Sequence, residues 1–210
     1  MAPRPDASHP ALTEAERSAE AALVQACRQG DPRALEQLYR THVDRVSRVI
    51  GRLLGPTPDL EDVVQATFVE IFRSFERFRG EASLSTWVVR IAVHVARHHL
   101  RQGVRRLVPL ELVPDEAPAA GHAADESMDE RRIVARVHTI LDSMSPLRRI
   151  AFLLYVLEGY SVEEVAALMG AGRAATKSRI FWARREFLWR ARKDPILKEL
   201  ASAQGEEEQS

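Results

Sequence analysis

With 210 residues, 23.6 kDa and 45% hydrophobic positions, the chain has room for one ordinary domain or two small ones and apolar surface enough for real cores, which excludes intrinsic disorder for most of it. Its single cysteine, Cys27, excludes an internal disulfide and a cysteine-based zinc site, so the fold needs no oxidising compartment. Thirty Lys and Arg balance thirty Asp and Glu to a formal charge of zero, a sum that hides where the charges sit.

In chain order, residues 1–20 are expected to form a disordered tail. They hold no apolar core of signal-peptide length, and no later run approaches the roughly 20 apolar residues of a membrane span, so a soluble, intracellular protein is expected. Sparse Gly and Pro between stretches rich in Ala, Leu, Arg and Glu favour helices, and an all-α fold.

A first helical domain is expected over residues 21–106. Helical periodicity runs from Leu23 to Leu54, broken at Gly30-Asp31-Pro32, where Asp31 reads as an N-cap and Pro32 as the first helical position. Gly55-Pro56-Thr57-Pro58 ends that second helix. In the third, Leu60, Val63, Val64, Thr67, Phe68, Ile71, Phe72 and Phe75 make a broad apolar face opposite Glu61, Asp62, Gln65 and Glu70. Glu61 and Asp62 suit the positive end of the helix dipole and, being adjacent, do not face one another as a catalytic carboxylate pair would. No catalytic residue is assigned anywhere in the chain. A fourth helix from about Thr86 to Arg101 is expected to bury Val88, Ile91, Ala92 and Val95 and to set Arg90, His94, Arg97, His98 and Arg101 around the rest. Trp87 reads either as a core anchor or as a ring beside this basic face. His94, His98 and His99 lack a third ligand in register and stand among repelling arginines, which argues against a metal site.

Residues 107–128 read as a linker. From Leu107 to Glu130 there are seven acids and no Lys or Arg, and Pro109, Pro114 and Pro118 forbid a long helix through the first half. On either side lie basic blocks: Arg73–Arg106 carries eight arginines against Glu76 and Glu81, a balance of +6, and Ala171–Lys193 carries eight bases against Glu186, a balance of +7. Basic helix faces beside aromatic rings supply guanidinium groups for phosphates and surfaces for unstacked bases, which points to nucleic acid as the partner.

A second helical domain is expected over 129–195, followed by an acidic tail at 196–210. Ile133, Val134, Val137, Ile140 and Leu141 open it, and Ser145-Pro146 starts a helix with Ile150, Leu153, Leu154 and Leu157 on its apolar face. Ser161 with Glu164 forms a capping box, Val162 to Leu168 a short helix, and Gly170-Ala171-Gly172 a turn. A basic helix from about Ala174 to Arg192 then completes a helix-turn-helix pattern, whose second helix enters the major groove. Ile180, Ala183, Phe187 and Ala191 are expected inward; Thr176, Lys177, Arg179, Arg184 and Arg185 outward.

Together DLEDVVQATFVEIFRSFERFRG, RGEASLSTWVVRIAVHVARHHLR, LDSMSPLRRIAFLLYVLEGYSVEEVAALMG and TKSRIFWARREF resemble the extracytoplasmic-function (group IV, sigma-E-like) sigma factors of bacterial RNA polymerase. The resemblance covers about Leu23 to Lys193. It implies a four-helix sigma domain 2 and a helix-turn-helix sigma domain 4 on a flexible acidic linker, acting without cofactor, metal or small-molecule substrate. The implied partners are core RNA polymerase, through its beta-prime clamp helices and beta flap, promoter DNA, and an anti-sigma factor that would hold a cytoplasmic protein at the inner membrane.

By the same resemblance Asp62, Gln65, Phe68 and Val69 face the clamp helices. Phe78, Arg79, Gly80, Ser83, Thr86, Trp87 and Arg90 open the minus-ten element and hold a flipped base, with His94 and Arg97 continuing that basic face. Arg173, Ala174, Thr176, Lys177, Ser178, Arg179 and Trp182, with Arg184 beyond them, read the minus-thirty-five element. The chain departs from the family at Ala175-Thr176, where relatives usually have Thr-Val, and at Phe181-Trp182, where they usually have a polar residue and an arginine. The rival reading is a conventional helix-turn-helix regulator with an N-terminal effector or dimerisation domain, which leaves the first basic block unexplained.

Overall fold

The computed structural model describes residues 13–80, 82–103 and 128–198, and among these there are helices and turns but no strand. The first domain comprises α1 (Glu14–Arg28), α2 (Pro32–Leu54), α3 (Leu60–Ser74), a 3-10 turn at Phe75–Arg77 and α4 (Leu84–Gly103). The second comprises α5 (Met128–Asp142), α6 (Pro146–Val156), α7 (Val162–Met169) and α8 (Arg173–Ala191). Apart from Met128, the expected linker lies outside the described residues, as does nearly all of the expected acidic tail.

Local chemistry accounts for most boundaries. Asp31 accepts a hydrogen bond from the Arg33 backbone N–H at 2.9 Å, and Pro32 opens α2 where its missing N–H costs nothing. Ser161 and Glu164 cap α7 reciprocally, the Ser161 N–H donating to the Glu164 carboxylate at 2.8 Å. Gly170 then ends α7 in the left-handed conformation that favours glycine.

Two expectations are corrected. The N-terminal tail does not extend to residue 20: α1 begins at Glu14, because Thr13 and Glu16 form a capping box that satisfies the first orphan N–H groups. The buried face of α4 is also wider than its periodicity suggested. Val88, Val89, Ala92, Val93 and Ala96 are buried, whereas Ile91 and Val95 are only half-buried. The reason is tertiary. One side of α4 closes the four-helix core against α2 and α3, and another packs on α6 and α7 of the second domain. Arg97 lies on the same side as Val89 and Val93, at intervals of four, and donates to the Met169 carbonyl at the end of α7 at 3.4 Å.

The core therefore runs continuously from Leu38, Ile50, Ile71 and Phe75 in the first domain to Ile150, Leu153, Leu154 and Val165 in the second. Each such side chain contributes about 1.5–3 kcal/mol by leaving water. Polar contacts cross the same boundary: Arg52 to Glu158 at 2.6 Å, Arg45 to the Tyr160 hydroxyl at 2.9 Å, and Arg149 to the Leu54 carbonyl at 2.7 Å. Within the second domain, Arg136 pairs with the buried Asp194 at 2.6 Å and ties α5 to the end of α8.

Candidate nucleic-acid interface

The first basic surface is organised by a loop between two helices. The 3-10 turn ends at Phe78, whose N–H donates to the Phe75 carbonyl at 3.1 Å, and Gly80 reverses the chain at φ +72°, a conformation side-chain-bearing residues rarely adopt. Ser83 starts α4 by accepting from the Thr86 N–H at 3.2 Å, with the two hydroxyls 2.9 Å apart. Trp87 packs beside both phenylalanines, its ring centroid 5.3 Å from Phe75 and 5.1 Å from Phe78.

Around this aromatic support Arg79, Gly80, Arg90 and His94 are exposed, while Ser83, Thr86, Trp87 and Arg97 are half-buried. Phe78 is buried, so in this arrangement its ring is support and not contact surface. The structure thus joins the two readings of Trp87: one part of the indole anchors the core and the rest borders the loop. The three histidines diverge. His94 Nδ1 lies 3.4 Å from Arg97, His98 Nε2 2.7 Å from Gln102, and His99 Nε2 3.4 Å from the Asp59 carboxylate. No group of three or more His, Cys, Asp or Glu is placed to hold a metal among the described residues.

The second basic surface is the N-terminal end of α8. Arg173, Ala174, Lys177, Ser178 and Arg184 are exposed, and Arg179 is half-buried. Arg173 pairs across the turn with Glu163 at 2.5 Å. Thr176 is a correction: expected outward, it is 0% exposed, and its hydroxyl donates to the Gly172 carbonyl at 3.1 Å. It belongs to the inward stripe with Ile180, Ala183 and Phe187, whose ring stacks on Phe152 at 5.1 Å. Phe181 and Trp182 are 56% and 48% exposed, so the departure from the family pattern lies on the outer face and not in the core. Arg185 stands 5.9 Å over the Trp182 ring and Lys193 3.7 Å over Trp189, adding cation–π contacts to an open groove lined by both tryptophans, Arg148, Arg184 and Arg192.

A third surface is the outer side of α3. Asp62, Gln65 and Val69 are exposed at positions three and four apart, while Phe68 is buried beneath the exposed Tyr39 at 4.7 Å between centroids. Sequence reasoning missed Tyr39, although Leu35, Val43 and Val46 at helical spacing mark the edge of the apolar face on which it stands. It also missed α1 as a support of the loop: Arg28 Nε donates to the Phe75 carbonyl at 3.3 Å and its Nη2 to the Phe78 carbonyl, and Glu20 Oε1 accepts from the Leu84 N–H at 2.8 Å. The box Thr13-x-x-Glu16 was the available signal.

A helical domain with an arginine-lined loop, joined to a helix-turn-helix domain with an exposed basic recognition helix, defines a DNA-binding protein of two modules. Residues 38–106 match the sigma-70 region 2 family and residues 135–187 match sigma-70 region 4. The ECF RNA polymerase sigma-E factor of Haemophilus influenzae is 31% identical over 178 residues, 81% of this chain and 94% of that protein. Its counterpart in Escherichia coli K12 is 33% identical over 173 residues, 77% and 88% of the two chains.

Two solved structures share the fold. CnrH in complex with the cytosolic domain of CnrY has a TM-score of 0.59 at 23% identity, over 84% of this chain and 99% of that one. The sigma factor RpoE of Bartonella quintana, in complex with the anti-sigma factor NepR, has 0.56 at 23%, over 78% and 96%. The chain belongs to the extracytoplasmic-function sigma factors, and its function is that of a sigma factor in transcription initiation. The family is not an enzyme class. The region 2 match also removes the rival reading, since it assigns the first domain that the rival left as an effector module. No described helix is long and apolar enough to cross a membrane.

Proposed function

We propose that this sigma factor divides promoter recognition between its two basic surfaces and supplies no chemistry of its own. The exposed start of α8 enters the major groove near minus thirty-five, Arg173, Lys177 and Arg179 meeting phosphates and base edges and Phe181-Trp182 offering apolar contact to thymine methyls. The Phe78–Thr86 loop receives an unstacked base of the minus-ten element. Arg79, Arg90 and His94 neutralise the strand around it, whereas Arg97 is engaged with the Met169 carbonyl, so part of the melting cost is offset by pocket contacts. Asp62, Gln65 and Val69, with Tyr39 above Phe68, form the face for the beta-prime clamp helices, and the second domain meets the beta flap.

The observation that carries this reading is the clustering of exposed arginines around a glycine-turned loop braced by Trp87 and Phe78. CnrH and RpoE were each captured with a protein partner, and the exposed apolar residues Phe181, Trp182, Leu188 and Trp189 fit an anti-sigma factor of that kind. Such a partner would hold a cytoplasmic protein, at the inner membrane if the partner is itself anchored there.

The test is run-off transcription with purified core polymerase. The chain should convert core into a promoter-specific enzyme, and replacing Arg79 and Arg90 together by Ala should reduce permanganate reactivity at minus ten while sparing duplex binding at minus thirty-five. Open complexes indistinguishable from wild type with the double variant would sink the loop assignment.

A further inference from the structure

We propose that α1 is the positioning element of the base-capturing loop, with Glu20 and Arg28 holding its two ends at a set separation. This rests on the proposed reading of the Phe78–Thr86 loop and goes beyond it, because neither residue belongs to the loop or to any of the three surfaces.

The loop enters from the 3-10 turn and leaves into α4, and each junction exposes backbone groups that helices leave unpaired. At entry the Phe75 carbonyl accepts the Phe78 N–H within the 3-10 turn and has a second lone pair to offer, and the Phe78 carbonyl stands at the end of that turn. The Arg28 guanidinium meets both, its Nε reaching Phe75 at 3.3 Å and its Nη2 reaching Phe78. A fork of fixed donors suits this task, since two carbonyls held by one planar group cannot shift independently. At exit the first N–H of α4, on Leu84, donates to the Glu20 carboxylate at 2.8 Å, which also places a negative charge at the positive end of the α4 dipole.

Glu20 and Arg28 are eight residues apart on one helix, about 12 Å along its axis. Between them Val24 and Cys27 are buried against the domain core at 5% exposure each, so α1 is fixed by burial while its two charged side chains reach the loop. Among the described residues neither charge is spent on an ion pair. Within the loop, nothing lies within 4 Å of where a Gly80 Cβ would stand, so the α1 contacts at the two ends add to the bracing by Phe78 and Trp87. Setting the loop ends from outside pre-orders the pocket before a base arrives and reduces the ordering cost of capture.

The experiment uses holoenzyme assembled from core polymerase and the full chain, with a single-stranded non-template minus-ten oligonucleotide from a promoter found active in run-off transcription. Glu20→Ala and Arg28→Ala should each weaken its binding about tenfold and lower permanganate reactivity to match, the scale of one missing hydrogen bond to a charged group. Binding to core polymerase and to minus-thirty-five duplex should stay within about twofold of wild type. Glu20→Gln, which keeps an acceptor oxygen for Leu84, should recover most of the loss, and Arg28→Lys, without the fork, should fall between wild type and Arg28→Ala.

Wild-type oligonucleotide binding by both alanine variants overturns the proposal. So does an equal loss of oligonucleotide, duplex and core binding, or a Glu20→Gln variant as impaired as Glu20→Ala, since each outcome makes α1 a matter of stability alone. The Arg79→Ala, Arg90→Ala double variant separates the two readings. If it leaves oligonucleotide binding intact, the loop itself has been misassigned; if it impairs binding while the α1 variants do not, only the positioning role fails.

Discussion

Arg149 of α6 donates through Nη2 to the carbonyl of Leu54, the last residue of α2, at 2.7 Å, so a side chain of the second domain caps a helix of the first. The guanidinium is buried at 3% exposure and also pairs through Nη1 with Asp142. A cation at a helix C-terminus meets both the unpaired carbonyls and the negative end of the dipole. Replacing Arg149 by Ala should lower stability by about 2 kcal/mol, through loss of a charged hydrogen bond and a stranded Leu54 carbonyl. Urea denaturation checks this, and hydrogen exchange at Arg52–Gly55 should rise with it. A midpoint unchanged from wild type would mean that the domains do not rely on this hydrogen bond.

Gly55 follows Leu54 and sits at φ +78° directly beneath His138, where an added Cβ would meet Nδ1 at 2.6 Å. Gly159 has a similar φ of +74° with nothing within 4 Å. Gly55 also carries a heavier backbone penalty, its ψ of −169° lying in a region open almost only to glycine. Gly159→Ala should cost about 1 kcal/mol, the penalty of a left-handed alanine. Gly55→Ala should cost about 3 kcal/mol or more, because the chain must also part from His138. Equal costs in parallel thermal melts would show that neither the Gly55 backbone nor His138 resists the added Cβ.

His138 lies under the charge of Arg149, and its pKa is held below the usual histidine value by burial first and by Arg149 second, with Asp142 pulling the other way. His42, buried in α2, is lowered by burial and by Arg45. For both, the unfolded state takes up a proton more readily than the folded one. Their contribution to stability is therefore full above the unfolded value near 6.5 and is lost as pH falls through that value toward the lowered folded one. Denaturation midpoints should be level from pH 7 upward and decline toward pH 5.5, and His138→Gln should flatten part of that decline. A flat profile in the wild-type chain would contradict the burial of both rings.

On the recognition helix, exposed Lys177 and half-buried Arg179 contrast with fully buried Thr176. Changing Lys177 and Arg179 to Ala should weaken promoter binding and reduce the slope of log affinity against log salt by about 2, close to one unit for each phosphate left without its cation. Thr176→Val should leave that slope alone and cost about 1 kcal/mol of stability, as its hydroxyl bonds the Gly172 carbonyl. Filter binding across a salt series distinguishes them. A slope changed by Thr176→Val would place that residue at the DNA.

Much of this was legible in the residues themselves, because the signals were local. Asp31-Pro32, Ser145-Pro146, the Ser161/Glu164 capping box and the glycines at 170 and 172 set helix ends through backbone groups a few residues away. The 3.6-residue spacing of Val63, Val64, Thr67, Phe68 and Ile71 likewise declares one buried face. The separated charge blocks named the partner class despite a net charge of zero, since charge is a property of composition and position along the chain.

What only the tertiary structure decided concerns helices with two neighbours. Periodicity reports a single apolar stripe, so it found Val88 and Ala92 but not Val89, Val93 and Ala96 on α4, which meets α2 and α3 on one side and α6 and α7 on another. It put Thr176 outside, because a hydroxyl bonded to its own helix reads as polar until the Gly172 carbonyl is seen 3.1 Å away. It could not connect Glu20 to Leu84 across 64 positions, or Arg149 to Leu54 across 95, because contacts at that separation leave no period in the sequence. The basic blocks and the helix ends belong to the sequence; the docking of the two domains and the bracing of the loop by α1 belong to packing.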